Sequence, residues 1–253
     1  IQHDVRKVGE IWKSKYDIDG DGYDTDPQRL KGLAMRGAEH VSSFCYVSID
    51  LEKDEITKAQ YPSLSNDYLL NFTKFSWWSR DSKIAYFVDA ERYHKKVRVI
   101  AFDTQTGATR IILEETADTF FNFAHFGEDQ PVMTPLPDTE ELLWFSERSG
   151  WGHLYLYDLK TGQLKNRVTQ GEWLVRNILR YDAGHREIFL QTAGRNRKKD
   201  PYYRDLVRVN IDTGKMTTIV SSDHEYLTIT DREMISIFSG LASSNGVSPT
   251  GNY

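Results

Sequence analysis

Alternating aspartates make the segment Asp17–Gln28, DIDGDGYDTDPQ, the clearest group of potential metal ligands in the sequence. Asp17, Asp19 and Asp21 hold the first, third and fifth positions, and a glycine follows at the sixth, as at the start of a calcium loop. Gln28 stands where a bidentate glutamate is expected, and no amphipathic helix pair flanks the loop. Calcium binding by the three aspartates and a solvated acidic turn therefore both stay open.

The common catalytic and nucleotide-binding motifs are absent from the sequence. No G-x-S-x-G string occurs, so these residues lack the strained turn that exposes a hydrolase serine beside an oxyanion hole. H-E-x-x-H, the Walker loop and G-x-G-x-x-G are also missing, and the seven histidines lack ligand spacing. Cys45 is the only cysteine, which excludes an internal disulfide and a cysteine-based zinc site. We expect no catalytic residue and, calcium apart, no cofactor.

The composition favours a β-rich domain and argues against nucleic-acid binding. Aromatic residues make up 13% of the 253 residues, and such residues suit pleated, half-buried surfaces. The net charge of -5 lacks the concentrated positive field that nucleic-acid binding needs. The longest apolar runs, such as IAYFV, are far shorter than the roughly 18 residues of a membrane span. We expect no membrane span in this segment.

Four similar segments recur along the chain and must position any functional residue. Each combines two alternating runs with a polar turn: CYVSIDLEKDEITKAQ, VRVIAFDTQTGATRII, HLYLYDLKTGQLKNRV and LVRVNIDTGKMTTIV. The first run ends 53, 55 and 52 residues apart, at Asp50, Asp103, Asp158 and Asn210. The pattern predicts hairpins in which the Asp or Asn side chain bonds its own turn backbone. Positive φ angles are expected at Gly107, Gly162 and Gly214, so the recurring D-x-x-T-G string indicates turn chemistry.

The segments between the hairpins predict two further strands for each repeat. One strand directly precedes each hairpin: KIAYFVDA, ELLWFSER and EIFLQTAG. Another ends in a polar turn before it: TKFSWWSRDS, VMTPLPDTEE and NILRYDAGHR. Four strands in units of roughly 50 residues predict an all-β fold, an incomplete β-propeller of four-stranded antiparallel blades. A β-sandwich is the alternative, but it would not be expected to repeat one pattern at fixed spacing.

The predicted blades suggest that the chain is an excerpt of a longer protein. Three full blades are expected, at 67–118, 119–173 and 174–222, with partial blades at 1–66 and 223–253. A propeller needs typically four to eight blades to close, and both ends of this chain fall within a blade. The sequence also lacks an initiator methionine.

Several strings resemble the N-terminal propeller of the dipeptidyl peptidase IV family, a group of prolyl-oligopeptidase-type serine peptidases. They are HDVRKVGEIW, FSWWSRDSKIAYF, EETADT, SERSGWGHLYLYDLKTGQLKNRVTQGEW and RKKDPYYRDLVRVNIDTG. The resemblance implies an eight-bladed propeller that caps an α/β-hydrolase domain outside this chain. It also implies cleavage of peptides after a proline or small residue near the N-terminus, a secreted or periplasmic location, and homodimerisation through regions mostly outside this segment.

The same resemblance bears on two candidate substrate contacts. The string TFFNF, 119–123, falls roughly where the family sends an aromatic side chain and an arginine into the chamber, although the arginine is absent. Phe120 and Phe121 are therefore candidate substrate-facing residues, against the alternative that they pack as core between blades. The family's amine-binding glutamate pair is expected upstream of Ile1. Glu114 and Glu115 close a predicted strand instead.

Two other segments are interpreted structurally. Trp151 and His153 lie in a Gly-Trp-Gly-His run, where we expect the indole to wedge between sheets and the imidazole to bond a backbone carbonyl. The basic segment 194–205, GRNRKKDPYYRD, is expected to be a solvated loop.

Two functional hypotheses remain at this stage. One is the substrate-gating propeller of a dipeptidyl peptidase IV-like serine exopeptidase, and the other is a stand-alone propeller that binds proteins or glycans without catalysis.

Overall fold

The described part of the chain consists of β-strands, turns and loops. A computed structural model describes residues 2–4, 10–14, 27–31, 43–64, 75–91, 94–122 and 132–221, and no α-helix occurs among them. The fold is an all-β, incomplete propeller, which confirms the predicted fold class.

Six short strands precede the first complete sheet. They are β1 (Gln2–Asp4), β2 (Glu10–Ser14), β3 (Pro27–Lys31), β4 (Ser43–Cys45), β5 (Val47–Asp50) and β6 (Glu55–Lys58). β1 pairs with β4, β2 with β3 and β5 with β6, all antiparallel.

Three four-stranded antiparallel sheets follow, each with its strands in chain order. Sheet I contains β7 (Ser76–Trp78), β8 (Ile84–Ala90), β9 (Lys96–Asp103) and β10 (Thr109–Thr116). Sheet II contains β11 (Thr134–Leu136), β12 (Glu141–Ser146), β13 (His153–Asp158) and β14 (Leu164–Arg167). Sheet III contains β15 (Leu174–Asp182), β16 (Glu187–Ala193), β17 (Arg204–Asn210) and β18 (Met216–Val220).

The middle strands of each sheet carry the core. All six residues of β12 are buried, as are the first five of β13, because apolar side chains on both faces pack away from water. The fourth strand is more exposed, as in β14 and β18. Burial on both faces explains why the middle strands are almost continuously apolar rather than strictly alternating.

The chain divides into two compact units. One contains residues 1–122 with 135–141 and 158–163, and its core includes Phe87, which stacks on Tyr46 at a ring distance of 4.2 Å. The other contains 123–134, 142–157 and 164–253. Its fully buried residues include Trp144, Leu154, Leu156, Val175, Ile188, Leu190, Val207 and Val209.

Each four-stranded sheet has two chemically different ends. The hairpin turns, which we call the turn end, lie at 79–83 and 103–108 in sheet I, 137–140 and 158–163 in sheet II, and 182–186 and 210–215 in sheet III. The opposite end, the loop end, holds the connections between second and third strands, which include Glu91 and 94–95 in sheet I, 147–152 in sheet II and 194–203 in sheet III.

The predicted turn chemistry is confirmed at the turn end. The Asp103 carboxylate accepts hydrogen bonds from the backbone N–H groups of Gln105 and Thr106 at 3.0 and 2.8 Å, and these bonds lower the pKa of Asp103. Asp50, Asp158 and Asn210 accept equivalent bonds in their own turns. The φ angles of Gly107, Gly162 and Gly214 are 80°, 75° and 69°.

These three turn glycines have a second role that the sequence did not reveal. A Cβ on Gly107 would lie 2.6 Å from the carbonyl oxygen of Lys58, and a Cβ on Gly162 would overlap the carbonyl oxygen of Ile112. Gly214 lies against Val168 in the same way, at a less crowded 3.2 Å. Each turn therefore rests on the backbone of the fourth strand of the preceding repeat, or just beyond it, where a side chain would not fit.

A side-chain hydrogen bond accompanies this contact in each repeat. The residue after the turn Asp or Asn presents its carbonyl oxygen to a donor in the preceding hairpin. The three donor and acceptor pairs are Ser48 Oγ to Thr104 at 2.8 Å, Arg110 Nη2 to Leu159 at 3.3 Å, and Asn166 Nδ2 to Ile211 at 2.8 Å. The same backbone position is bonded in all three repeats although the donor side chain differs.

Candidate functional site

The two predicted substrate-facing phenylalanines lie in the loop that follows β10. Phe121 is 5% exposed, whereas Phe120 is 55% exposed. The backbone N–H of Phe121 donates to the carbonyl oxygen of His94 at 2.6 Å, which fixes this loop against the β8–β9 connection. Of the two, Phe120 therefore has its ring open to solvent, while the ring of Phe121 is buried.

His94 supports the exposed ring of Phe120. The imidazole stacks on Phe120 with ring centres 4.8 Å apart and planes 7° from parallel. His94 has a φ of 54°, and its N–H donates to Glu91 at 2.7 Å, so the backbone fixes the position of the ring. Burial lowers the pKa of His94, which keeps the imidazole neutral at pH 7. This pair forms a flat aromatic surface at the loop end of sheet I.

The predicted calcium ligands Asp17, Asp19 and Asp21 lie outside the described residues. The strands on either side are described: Ser14 at the end of β2 pairs with Pro27 at the start of β3. Within the described ranges, no group of three or more His, Cys, Asp or Glu side chains could hold a metal ion.

The adjacent glutamates Glu114 and Glu115 lie in β10, as predicted. Glu114 accepts a hydrogen bond of 2.5 Å from Arg98 Nε, and this bond lowers the pKa of Glu114. Arg98 also contacts Asp89 at 3.4 Å, and Asp89 accepts a 2.7 Å hydrogen bond from Tyr61. Glu114 is therefore part of an ion-pair network on the sheet.

His153 is bonded as predicted, but the prediction for Trp151 is wrong. His153 is fully buried, with its ring nitrogens 3.0 Å from Thr169 Oγ1 and 2.9 Å from the carbonyl oxygen of Gly171. Trp151 is 40% exposed and does not wedge into a core. Trp173 takes the packing role instead, edge-on to His153 at 4.8 Å. Glycines on both sides of Trp151 allow its chain to turn the indole outwards.

The basic loop 194–205 is only partly solvated, which corrects the prediction for this segment. Arg197 and Tyr202 are exposed. Lys199, however, forms a 2.8 Å ion pair with Asp205, and both side chains are less than 10% exposed. Charge counting missed this pair because the partners come from a loop and from the start of β17.

A polar cleft at the turn end was not found by sequence reasoning. It has a volume of about 660 Å³ and lies between the β5–β6 hairpin and the turns of sheet I. Trp78, 52% exposed, lines it together with Ser48, Ile49, Asp50, Lys53, Glu55, Thr57, Ser82, Thr104 and Gln105. The adjacent Trp77 and Trp78 could have indicated it, because neighbouring residues of a strand point to opposite faces and one of the two indoles must then face away from the other. Trp77 stacks on Tyr86, which leaves Trp78 on the other face.

The described sites present both aromatic and polar side chains to solvent. The cleft and the His94–Phe120 surface present aromatic rings, hydroxyl groups, an amide and carboxylates. The best-aligned buried histidine, His153, is enclosed and satisfied by its two contacts.

Comparison with known proteins gives this architecture a family. The family model described as the dipeptidyl peptidase IV (DPP IV) N-terminal region matches residues 37–246, well over half of the chain. The chain belongs to the DPP IV N-terminal region family. The three four-stranded sheets of this family member all fall within the matched residues.

Similar proteins agree with the family assignment. Dipeptidyl peptidase 4 of Trichophyton equinum is 22% identical over 161 residues, which is 62% of this chain and 19% of that protein. Dipeptidyl peptidase 4 of Arthroderma otae is 36% identical over 76 residues, 30% of this chain and 9% of that protein. This DPP IV N-terminal segment thus spans about a fifth or less of the length of these relatives.

Solved structures show the same fold. The crystal structure of Porphyromonas gingivalis dipeptidyl peptidase 4 matches with a TM-score of 0.59 and 15% identity, over 85% of this chain and 28% of that one. A Bacteroides ovatus protein assigned as a dipeptidyl aminopeptidase IV matches with a TM-score of 0.61 and 17% identity, over 85% of this chain and 30% of that one. Among the described residues of this DPP IV family segment, no helix is long and apolar enough to cross a membrane.

Proposed function

We propose that this chain is the substrate-gating propeller of a DPP IV-like serine exopeptidase whose hydrolase domain lies elsewhere in the protein. The match of residues 37–246 to the DPP IV N-terminal region carries this proposal. In the proposed arrangement the propeller admits short peptides to a chamber and excludes folded proteins, and the active-site serine, histidine and aspartate come from the hydrolase domain.

The contacts at the turn end suit a filter of fixed width. Gly107 and Gly162 place one repeat directly against the backbone of the one before, and Arg110 and Asn166 add hydrogen bonds between repeats. Backbone contacts of this kind leave little freedom for a repeat to slide, because a shift would bring carbonyl groups into collision. A filter built in this way selects by size rather than by sequence.

Phe120 is the proposed peptide contact on this segment. Its exposed ring and its stack on His94 provide an apolar, fixed surface for an extended peptide. Phe121 is proposed to act indirectly, by holding the loop through its buried ring. We further propose that Asp17, Asp19 and Asp21 bind calcium, with a solvated acidic turn as the competing outcome.

The decisive experiment uses the full-length protein and peptides that share one N-terminal Ala-Pro or Gly-Pro dipeptide. We expect release of the dipeptide from short peptides, loss of activity with a serine-directed phosphonate, and a steep fall in kcat/KM when the same dipeptide begins a folded protein. Undiminished cleavage of the folded substrate would rule out the size filter. No dipeptide release, in a protein that ends without a hydrolase domain, would favour a stand-alone binding platform.

Two variants and a titration test the proposed contacts. Phe120→Ala is expected to raise KM for peptides of four or more residues, while the matched control Trp151→Ala, which removes another exposed aromatic, leaves KM unchanged. Unchanged KM in Phe120→Ala would remove Phe120 from the proposal. Calcium is expected to raise the melting temperature of the intact protein, and the absence of a shift at millimolar calcium would establish the solvated turn.

A further inference from the structure

The cleft lined by Trp78, which we call the Trp78 cleft, has unused binding capacity. Among the described residues, the side chains of Glu55, Thr57, Ser82 and Gln105 make no hydrogen bond or ion pair. They line the cleft beside the half-exposed indole of Trp78. Several polar groups with free donors and acceptors thus surround one aromatic face in a volume of about 660 Å³, which lies within the range of small-molecule sites.

The next repeat has an equivalent cleft, with which the unbonded side chains of the Trp78 cleft can be compared. That second cleft, of about 390 Å³, lies between sheet I and the turns of sheet II. Its Lys160 occupies the place of Gln105 and forms an ion pair with Glu140, which occupies the place of Lys83. The unbonded Gln105 side chain of the Trp78 cleft is therefore replaced, in the second cleft, by a charged side chain that has a partner.

The two clefts also differ at the position of Trp78. The backbone bonds of the two turns align Leu136 with Ser79, both of which are buried, so the residue equivalent to Trp78 is Pro135. Trp78 is 52% exposed, whereas the equivalent position of the next repeat carries no aromatic ring. An exposed indole held on a strand and ringed by hydrogen-bonding groups is a ready contact for a ligand with one apolar face.

The hydrogen-bonding and charged side chains of the cleft indicate which chemical class of ligand it can bind. Gln105, Thr57 and Ser82 both donate and accept hydrogen bonds, and Glu55 accepts them, which suits a ligand rich in hydroxyl groups. Asp50 and Glu55 disfavour an anion. A cation would leave the free donors unused and would meet the ammonium group of Lys53.

We propose that the Trp78 cleft binds a neutral carbohydrate chain, with the apolar face of one pyranose ring on the Trp78 indole. The amide of Gln105 and the carboxylate of Glu55 hydrogen bond the hydroxyl groups at the ring edge. This function is separate from peptide gating and would tether the protein to glycans or polysaccharides. It neither requires nor excludes the activity proposed above.

The test measures binding of neutral linear oligosaccharides to the intact protein. Cellotriose, xylotriose and chitotriose are titrated by calorimetry and by saturation-transfer NMR, with Arg-Arg-Arg peptide as the cationic probe. We expect saturable binding of at least one trisaccharide, a loss of about tenfold or more in Trp78→Ala, and partial retention in Trp78→Phe. Trp151→Ala, which removes an exposed tryptophan outside the cleft, is expected to bind like the wild type.

Three outcomes would overturn the proposal. The first is no saturation by any trisaccharide up to about 10 mM, a concentration that detects even millimolar affinity. The second is binding that Trp151→Ala weakens as much as Trp78→Ala does. The third is tight binding of the Arg-Arg-Arg peptide that Glu55→Gln abolishes while the sugars do not bind, which would make the cleft a cation site. Dipeptide release by the full-length protein is measured in parallel, so that failure of one proposal leaves the other readable.

Discussion

The two ends of each sheet use different means to hold the same fold. At the turn end, backbone carbonyls accept the hydrogen bonds and glycines allow one repeat to touch the next. At the loop end, each sheet has its own solution: the His94–Phe120 stack, the enclosed His153, and the buried pair of Lys199 and Asp205. Side chains can vary where the backbone makes the contact, whereas the loop end depends on individual side chains.

The largest expected effect comes from breaking the buried ion pair at the loop end of sheet III. Asp205→Asn leaves the Lys199 ammonium group buried without its counter-ion, so we expect the free energy of unfolding to fall by about 3 to 5 kcal/mol. Urea denaturation of the intact protein measures this change. Arg197→Ala, a change in the same loop, breaks an exposed pair with Glu172 and should alter stability little. Equal effects of the two variants would contradict the distinction between buried and exposed loop charges.

A pair of glycine substitutions compares the two ends directly. Gly162→Ala adds a methyl group against the Ile112 carbonyl at a φ of 75°, and we expect a loss of about 3 kcal/mol from strain and overlap together. Gly150→Ala, at the loop end of sheet II, has a similar φ of 85° but no neighbouring atom within 4 Å. It should cost only about 1 kcal/mol, from the backbone conformation alone. Similar losses in both variants, measured by denaturation, would show that contact between repeats contributes nothing.

The buried imidazoles make stability depend on pH. Burial lowers the pKa of His153 and of His94 in the folded protein below the value of 6.5 that applies to the unfolded chain. The unfolded chain then binds more protons as the pH falls below about 6.5, so acid lowers the free energy of unfolding. His153→Gln should remove part of this fall, and His94 contributes a further part. A pH profile of His153→Gln that parallels the wild type would show that the enclosed imidazole titrates as in the unfolded chain.

The smallest expected effect is a gain at the turn end. Ser82 has a φ of 58°, a conformation that glycine adopts without strain. Ser82→Gly should therefore raise the free energy of unfolding by about 0.5 to 1 kcal/mol, seen as a higher melting temperature. The serine hydroxyl makes no hydrogen bond among the described residues, so little is lost with it. A lower melting temperature would mean that the entropy of the unfolded chain outweighs the relief of strain.

The sequence was sufficient to predict the turn end, because its signals are local. Asp103 and Gly107 lie four residues apart and bond within the same turn, so their spacing reports their geometry directly. The contact between Gly162 and Ile112, by contrast, joins residues 50 positions apart and leaves no local pattern. The order of strands and the fold class followed from repetition of the local signal.

The loop end and the candidate sites could not be predicted equally well. Trp151 and Trp173 both lie near glycines in the sequence, so the local pattern does not distinguish them. Tertiary packing alone makes Trp173 the partner of His153. In the sequence, Lys199 does not differ from the exposed basic residues around it. Its ion pair with Asp205 is evident only in the structure. The Trp78 cleft combines residues from two hairpins and a strand, so its existence depends on how the repeats meet.

Ion pairs at the turn ends of sheets II and III also restrict which substitutions this protein can accept during evolution. Glu140 and Lys160 pair in sheet II, and Arg186 and Asp212 pair in sheet III at the same two positions with the charges reversed. A single charge change at either position would place like charges side by side, and a second change at the partner would restore attraction. Substitutions there are therefore expected to accumulate as compensated pairs, with only a small difference in stability between single and double exchanges because both pairs are partly exposed.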